Sequence, residues 1–269
     1  MKILALDSSG LVASVAVVED DGVNSSLLAE YTVNYKKTHS QTLLPMLDEI
    51  ARMIELDLFD QVALAVAAGP GSFTGLRIGS ATAKGLGLAL DKPLVHVPTV
   101  DALAYNLYGT DRVICPLMDA RRNQVYTGIY EFRNNELSVI EPQMAVGIEV
   151  IAGKLRALGR EVVFLGDGVP VFRKALMEEL MQGMDFSFAP AHLNKQRAGA
   201  VAALAVSYVR AGKIETAAEH RPDYLRPSQA ERERAEKEAR EKAEKAKAEK
   251  AERVEKGKAE EQKEAGLHE

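Results

Sequence analysis

Apolar runs separated by polar turns occupy the first hundred residues of the chain. We predict strands at 2–7, 11–18, 25–33, 62–68 and 94–97. Apolar residues at helical spacing predict a helix over 42–55, in which Pro45 is tolerable if it falls in the first turn. A second helix follows a glycine-rich loop and runs to about residue 90. The predicted order is therefore β-β-β-α-β-α-β.

The same order of elements begins again after residue 112. We predict strands at 113–118, 124–131, 136–140 and 162–165, with helices at 147–158, 169–181 and 196–211. Asp7 matches Asp119 and Gly22 matches Asn134, and both pairs are 112 residues apart. A strand, an aspartate turn, a strand and a hairpin repeated at one offset indicate a duplicated lobe.

Charge is concentrated at the end of the chain. The whole sequence of 269 residues has a net charge of −5, but residues 231–264 alone hold 12 Lys/Arg and 12 Glu. Glutamates and basic residues four apart, such as Glu238 and Lys242, favour a solvated helix, and disorder is the alternative. We therefore expect three parts: a lobe at 1–104, a second lobe at 105–227 and a charged tail at 228–269.

The rest of the composition argues against a disulfide-stabilised or membrane-spanning protein and gives no sign of nucleic-acid binding. The body has no basic excess, which gives no indication of nucleic-acid binding by itself. The single Cys115 excludes an internal disulfide and follows the pattern of a buried structural thiol. No apolar run approaches the length that spans a bilayer, and Asp7 interrupts what would be the core of a signal peptide. We expect a cytoplasmic protein without membrane contact.

Five segments resemble the TsaB family, also called YeaZ. They are residues 3–9 (ILALDSS), 39–45 (HSQTLLP), 69–79 (GPGSFTGLRIG), 119–126 (DARRNQVY) and 224–227 (YLRP). The resemblance covers residues 1 to about 227. It implies an α/β fold of two actin-like (ASKHA, ribonuclease H-like) lobes.

The resemblance also implies a function. TsaB proteins are non-catalytic subunits of the bacterial machinery that makes tRNA threonylcarbamoyladenosine. Such a subunit binds and activates a TsaD-like catalytic paralogue, alongside a TsaE-like P-loop ATPase, and reaches tRNA through the complex. ATP and metal would then belong to the partners, and this chain would need no cofactor of its own.

Two turns are candidate nucleotide or phosphate sites. They contain Asp7, Ser8 and Ser9 in the first lobe and Asp119 and Arg121 in the second. Each aspartate can equally well bond the amides of its own turn, which we favour. The first turn has one glycine and no lysine, and is therefore poor for phosphate. An actin-like ATPase or small-molecule kinase is the alternative function.

Metal and nucleophilic chemistry find little support in the sequence. In the catalytic paralogue, a His-x-x-x-His pair after the corresponding strand holds the metal, whereas this chain has Thr99 and Leu103 there. The five histidines show no ligand spacing, so we expect no metal site. Cys115 has no neighbouring activator and no nucleophile elbow is present, which argues against a metallo- or glycoprotease.

One helix carries small residues at a regular interval. Gly75, Gly79, Ala83 and Gly87 recur every four residues, and would let another helix approach closely. That contact could be internal or with a partner, and the resemblance favours a four-helix interface with the paralogue. The predicted partner surface comprises Leu43, Met46, Leu47, Ile50, Met53, Gly75, Leu76, Gly79, Ala83 and Gly87. When the partner is absent, the same surface could form a homodimer.

Overall fold

A computed structural model describes residues 1–35 and 38–227, together with Arg234, Lys237, Glu238 and Lys242. The chain forms two compact units, Met1–Leu225 and Arg226–Glu269. The first unit contains both predicted lobes. The boundary predicted between them, at residues 104 and 105, falls at the end of a short helix.

The first lobe is built on a five-stranded mixed sheet. Its strands are β1 (Lys2–Asp7), β2 (Ala13–Asp20), β3 (Ser25–Val33), β4 (Gln61–Gly69) and β5 (Leu94–Pro98). Their spatial order is β3-β2-β1-β4-β5. The first three strands are antiparallel, while β4 runs parallel to both β1 and β5.

The second lobe repeats this topology. Its strands are β6 (Val113–Asp119), β7 (Gln124–Arg133), β8 (Glu136–Gly147), β9 (Val162–Leu165) and β10 (Phe186–Phe188). Their order is β8-β7-β6-β9-β10, with the same directions as in the first sheet. Asp7 and Asp119 end the central strands β1 and β6. The predicted α/β fold of two duplicated lobes is confirmed.

Within residues 38–227, six α-helices connect and cover the sheets. They are α1 (His39–Met53), α2 (Phe73–Leu90), α3 (Thr99–Tyr105), α4 (Ile148–Leu158), α5 (Val169–Ala175) and α6 (Ala198–Arg210). A 3₁₀ turn at 58–60 precedes β4, and α5 continues into one π-helical turn at 176–180.

The two lobes exchange their last helices. Helices α1 and α2 pack on one face of the first sheet, around Leu4, Leu6 and Leu64. The other face of that sheet is covered by α6, which comes from the second half of the sequence. In turn, Val100 and Leu103 of α3 pack on the second sheet. This exchange explains why the two lobes form one compact unit.

Some boundaries differ from those predicted. Helix α1 begins at His39, so Pro45 lies inside the helix rather than in its first turn, and the Gln41 carbonyl has no amide proton to accept at that position. Strand β8 extends to Gly147, past the predicted end at residue 140, because it follows its neighbour β7 along its whole length. The three-residue β10 and helix α3 were not predicted as separate elements.

Little of the charged tail is described. Arg234, Lys237, Glu238 and Lys242 are helical, as predicted, and Arg234 Nε lies 2.9 Å from Glu238 Oε1 one turn away. Other residues of the predicted charge pairs, such as Glu241, lie outside the described residues. Among the described residues, no helix combines the length and the apolar character needed to cross a membrane.

Candidate functional site

The turn after β1 is closed on itself. Asp7 is 1% exposed, and its Oδ1 accepts hydrogen bonds from Ser9 N at 2.9 Å and Ser9 Oγ at 2.7 Å. Burial raises the pKa of the Asp7 carboxyl to about 6, although the bonds from Ser9 oppose that shift. The carboxylate is thus used within its own turn, which was the favoured interpretation of the sequence.

Helix α2 and two side chains cover this turn. A Cβ built on Gly75 would lie 2.0 Å from the Ser8 carbonyl oxygen, and one on Gly79 would lie 2.6 Å from Ser8 Oγ. Ser8 Oγ donates to the Gly75 carbonyl at 2.9 Å. From the other side, His39 Nε2 lies 2.8 Å from the Gly10 carbonyl, and the Gln196 amide lies against Gly10. The predicted phosphate site in the first lobe is therefore occupied by the protein's own groups.

The second turn has the same internal bond in an open setting. Asp119 Oδ1 accepts from Arg121 N at 2.8 Å, and Asp119 Oδ2 lies 3.2 Å from Arg121 Nη1. Arg121, Arg122 and Asn123 all have left-handed backbone, with φ values of 64°, 53° and 61°. The Arg121 side chain is 84% exposed. The five residues predicted for a nucleotide or phosphate site thus form two groups: Asp7, Ser8 and Ser9 in the first lobe, and Asp119 and Arg121 in the second.

Core residues fill the two positions at which the resemblance implies metal-binding histidines in the catalytic paralogue. Thr99 is fully buried, and its Oγ1 accepts a hydrogen bond from Gly69 N at 3.1 Å. Leu103 is 2% exposed and packs with residues of the second sheet. Neither side chain is free to hold a metal at this position.

Most of the predicted partner surface is buried within the chain. Nine of its ten residues are inaccessible: Leu43, Met46, Leu47, Ile50, Gly75, Leu76, Gly79, Ala83 and Gly87. The glycines among them pack against other parts of the same chain. Gly75 and Gly79 lie against Ser8, and a Cβ on Gly87 would lie 2.5 Å from Leu94 Cδ1. The prediction that these nine residues face a partner is wrong. Only Met53, which is 76% exposed, points outward.

A different set of small residues lines the outward side of α2. Ala81, Gly85 and Ala89 are exposed at four-residue intervals, next to Leu88, which is 69% exposed. A Cβ on Gly85 would meet nothing within 4 Å. On α1, the exposed apolar residues are Leu44, Pro45 and Met53. We call these seven residues the outer α1–α2 surface.

The outer side of α2 is also poor in charge. After Arg77, none of its exposed residues is charged. Lys84 is half-buried, and its Nζ lies 3.1 Å from the His220 carbonyl and 3.4 Å from that of Ala218. By contrast, the short helix α5 of the second lobe exposes both Arg173 and Lys174.

The fold gathers a cluster that the sequence did not indicate. His96 on β5 comes close to Glu215 and His220, which lie in the segment after α6. The centroids of the His96 and His220 rings are 5.7 Å apart. Glu215 Oε1 lies 2.5 Å from His220 Nδ1 and 3.8 Å from His96 Nδ1. Burial lowers the pKa of His220 below its usual value. No spacing rule finds this set because the three residues span 125 positions.

Cys115 follows its sequence prediction. It is a free thiol buried in β6, and Thr127 Oγ1 lies 3.4 Å from its sulfur. Burial raises the pKa of the thiol to about 12. A thiolate nucleophile at this position is therefore disfavoured.

A family model and several named relatives match the chain. Residues 26–234 match the model described as TsaD, tRNA N6-adenosine threonylcarbamoyltransferase. The chain is 35% identical over 234 residues to a protein of Bacillus subtilis (strain 168) named tRNA threonylcarbamoyladenosine biosynthesis protein TsaB. That match covers 86% of this chain and 96% of the relative. A protein of the same name from Escherichia coli (strain K12) is 35% identical over 172 residues, which cover 62% of this chain and 72% of the relative.

A solved structure agrees with the sequence matches. The structure titled YeaZ from Pseudomonas aeruginosa is 27% identical and superposes with a TM-score of 0.70. The superposition covers 83% of this chain and 99% of that one. Nearly the whole of the Pseudomonas fold is thus represented in this chain.

Proposed function

Because this chain belongs to the TsaB family of tRNA threonylcarbamoyladenosine biosynthesis proteins, we propose that it is a non-catalytic subunit that binds and activates a TsaD-like catalytic paralogue. In this proposal, the paralogue transfers the threonylcarbamoyl group to the adenosine next to the anticodon of tRNAs that read ANN codons. A TsaE-like P-loop ATPase is the third member of the complex.

Two features support a role without chemistry in this chain. Buried Thr99 and Leu103 take the positions of the metal-binding histidines of the paralogue. The Asp7 carboxylate, which would face metal and phosphate in an ATPase of this fold, bonds Ser9 instead. An actin-like ATPase or kinase would have to displace Gln196 and His39 from the turn.

The outer α1–α2 surface carries the proposal for partner binding. A glycine inside a helix lowers the stability of the helix by about 0.5–1 kcal/mol relative to alanine. For the buried glycines of α2, close packing against Ser8 and Leu94 offsets this loss. Gly85 makes no such contact with any of the described residues. With Ala81 and Ala89 on the same side, it leaves a shallow, uncharged surface on which a helix of the paralogue can pack closely. Leu88, Leu44 and Met53 supply apolar area around it.

A matched pair of glycine substitutions tests this surface. Gly85 in α2 and Gly153 in α4 are both exposed, and a Cβ at either meets nothing within 4 Å. Gly85→Gln and Gly153→Gln should both leave the isolated chain folded and equally or more stable, because glutamine is the better helix former. We expect only Gly85→Gln to weaken the complex with the paralogue, by at least tenfold in Kd.

The measurement is light scattering on size exclusion, followed by titration calorimetry, with the paralogue of the same organism. Leu88→Glu is a more disruptive substitution of the same surface. Val171→Glu on α5 is its control, because Val171 is likewise an exposed aliphatic residue on a helix. A one-to-one complex that only the α2 variants weaken supports the surface. If Gly153→Gln weakens the complex as much as Gly85→Gln does, α2 is not the contact. If no complex forms at all, the proposed role fails.

The ATPase alternative has its own test. Isothermal titration of the isolated chain with MgATP should show no binding, whereas an ATPase would bind ATP and lose turnover on Asp7→Ala. Light scattering on the chain alone also tests the proposed homodimer. A dimer that Leu88→Glu dissociates would use the same outer α1–α2 surface.

A further inference from the structure

A pair of histidines and a glutamate lie where the C-terminal segment meets the first sheet. The Glu215 backbone pairs with Leu94 at the start of β5, with N–H···O distances of 2.8 and 2.9 Å in the two directions. Further along, Asp223 N donates to the Ala68 carbonyl at 2.7 Å. Residues 215–223 thus run along the first lobe, and we call them the C-terminal strap.

One ligand atom from each of His96, Glu215 and His220 lies within 4.8 Å of the others. A tetrahedral zinc ion with bonds of about 2.0–2.2 Å needs its ligand atoms about 3.3 Å apart. The observed distances from Glu215 Oε1, 2.5 Å to His220 Nδ1 and 3.8 Å to His96 Nδ1, lie on either side of that value. Small side-chain movements would therefore complete the geometry.

Each histidine also has an outer partner for its second nitrogen. His96 Nε2 lies 3.0 Å from Asp223 Oδ2, and His220 Nε2 lies 2.9 Å from Ser80 Oγ. Such partners fix the ring orientation of metal-binding histidines and turn the other nitrogen toward the ion. Here both Nδ1 atoms face the Glu215 carboxylate, with His220 Nδ1 already hydrogen-bonded to it.

The charges nearby suit a divalent cation. Glu215 and Asp223 together contribute two negative charges, which outweigh the one positive charge of the nearby Lys84 ammonium on the Ala218 and His220 carbonyls. His96 and Glu215 are about a quarter exposed, which leaves a route for an ion from solvent, while the His220 side chain is fully buried.

We propose that His96, Glu215 and His220 form a binding site for a divalent transition metal, with Zn²⁺ the best fit to two imidazoles and one carboxylate. When the ion binds, the single proton of neutral His220 moves from Nδ1 to Nε2, which then donates to Ser80 Oγ, so that Nδ1 and the ionised Glu215 carboxylate both present lone pairs to the metal. A water or a partner's side chain takes the fourth position. Bound there, the metal fastens the C-terminal strap to β5. The site is independent of the proposed partner binding.

Titration calorimetry with ZnCl₂ tests the site, using the full chain without a tag after EDTA treatment and dialysis. We expect one Zn²⁺ per chain and a rise in Tm of about 5–10 °C at a zinc concentration 100 times the Kd. Co²⁺ as a second probe should give the visible absorption of a four-coordinate site.

Variants of the cluster and a control identify the ligands. His96→Gln and Glu215→Gln remove ligands at partly exposed positions and should nearly abolish binding. Asp223→Asn removes only an outer partner and should weaken binding by about 10–100-fold. His192→Gln, at an exposed histidine outside the cluster, should bind as the wild type does.

Three results would overturn the assignment. The first is a wild-type chain that binds no Zn²⁺ at 100 µM or binds it with variable stoichiometry. The second is wild-type affinity in both His96→Gln and Glu215→Gln, provided that circular dichroism shows them folded. The third is an equal loss of affinity in His192→Gln, which would indicate adventitious binding to surface histidines.

Discussion

The two lobes place the same aspartate turn in opposite surroundings. Asp7 and Asp119 each end the central strand of a sheet, and each accepts a hydrogen bond from the backbone N–H two residues later, at 2.9 and 2.8 Å. The first carboxylate is buried beneath α2, whereas the second pairs with an exposed arginine.

The difference comes from the glycines that follow the fourth strand of each lobe. In the first lobe, Gly75 and Gly79 bring α2 directly onto Ser8. In the second, Gly166 and Gly168 approach the Leu117 carbonyl, and Gly168 also lies against Asp119 N at the start of the turn. Residues 121–123 of the second turn stay exposed, and all three have left-handed backbone conformations. Covering one turn removes it as a ligand site and makes it part of the core.

The largest expected effect comes from uncovering the first turn. In Gly75→Ala, the new methyl group would lie 2.0 Å from the Ser8 carbonyl oxygen, so the backbone must move. We expect the free energy of unfolding to fall by about 3 kcal/mol or more, measured by urea denaturation. Gly85→Ala, on the open side of the same helix, should instead stabilise the chain by about 0.5–1 kcal/mol. Equal effects from the two substitutions would contradict the internal role of Gly75.

The second effect concerns the charge of the buried turn. Because burial raises the pKa of Asp7 to about 6, the folded state holds a proton that the unfolded chain releases between about pH 4 and 6. The free energy of unfolding therefore decreases as pH rises through this window. Asp7→Asn keeps an oxygen for Ser9 and carries no charge, so it should be more stable than the wild type at pH 7, by up to about 3 kcal/mol.

Denaturation at pH 4 and pH 7 measures this difference. The advantage of Asp7→Asn should disappear at pH 4, where the wild-type carboxyl is mostly protonated. Asp119→Asn is the control and should change stability by less than about 1 kcal/mol, because its partner Arg121 is 84% exposed and water screens the ion pair. A less stable Asp7→Asn at pH 7 would mean that the folded protein needs the negative charge.

The smallest effect tests the open turn. Arg121 has a φ of 64°, a region that costs a side-chain-bearing residue about 1–2 kcal/mol, whereas Ser9 at the matching position is not left-handed. Both Arg121→Gly and Arg121→Ala lose the ion pair to Asp119, but only glycine relieves the backbone. Thermal unfolding should therefore show the glycine variant to be about 1 kcal/mol more stable than the alanine variant. No difference would mean that the turn readjusts around alanine.

The candidate sites were only partly predictable. Asp7 and Asp119 were found because a repeated turn is visible at a fixed offset. The small residues of α2 are visible in the sequence, but the set predicted to face a partner is the set that is buried within the chain. Gly75 and Gly79 recur at the same interval as Ala81, Gly85 and Ala89, and periodicity alone does not say which side of a helix meets the sheet. His96 and His220 gave no signal, since their proximity depends on the path of the C-terminal strap.

The sequence by itself determined the elements, their repetition and the family. Hydrophobic periodicity is a local property, so it predicts strands and helices directly, and an offset of 112 residues is enough to show a duplicated lobe. The tertiary structure alone decided which helix covers which sheet. Each sheet has two apolar faces. In the first lobe, α1 and α2 cover only one face of the sheet, and α6 covers the other. Helix α3 in turn packs on the second sheet. That packing decides which residues are buried. It therefore also decides the raised pKa of the Asp7 carboxyl and which residues of α2 face outward.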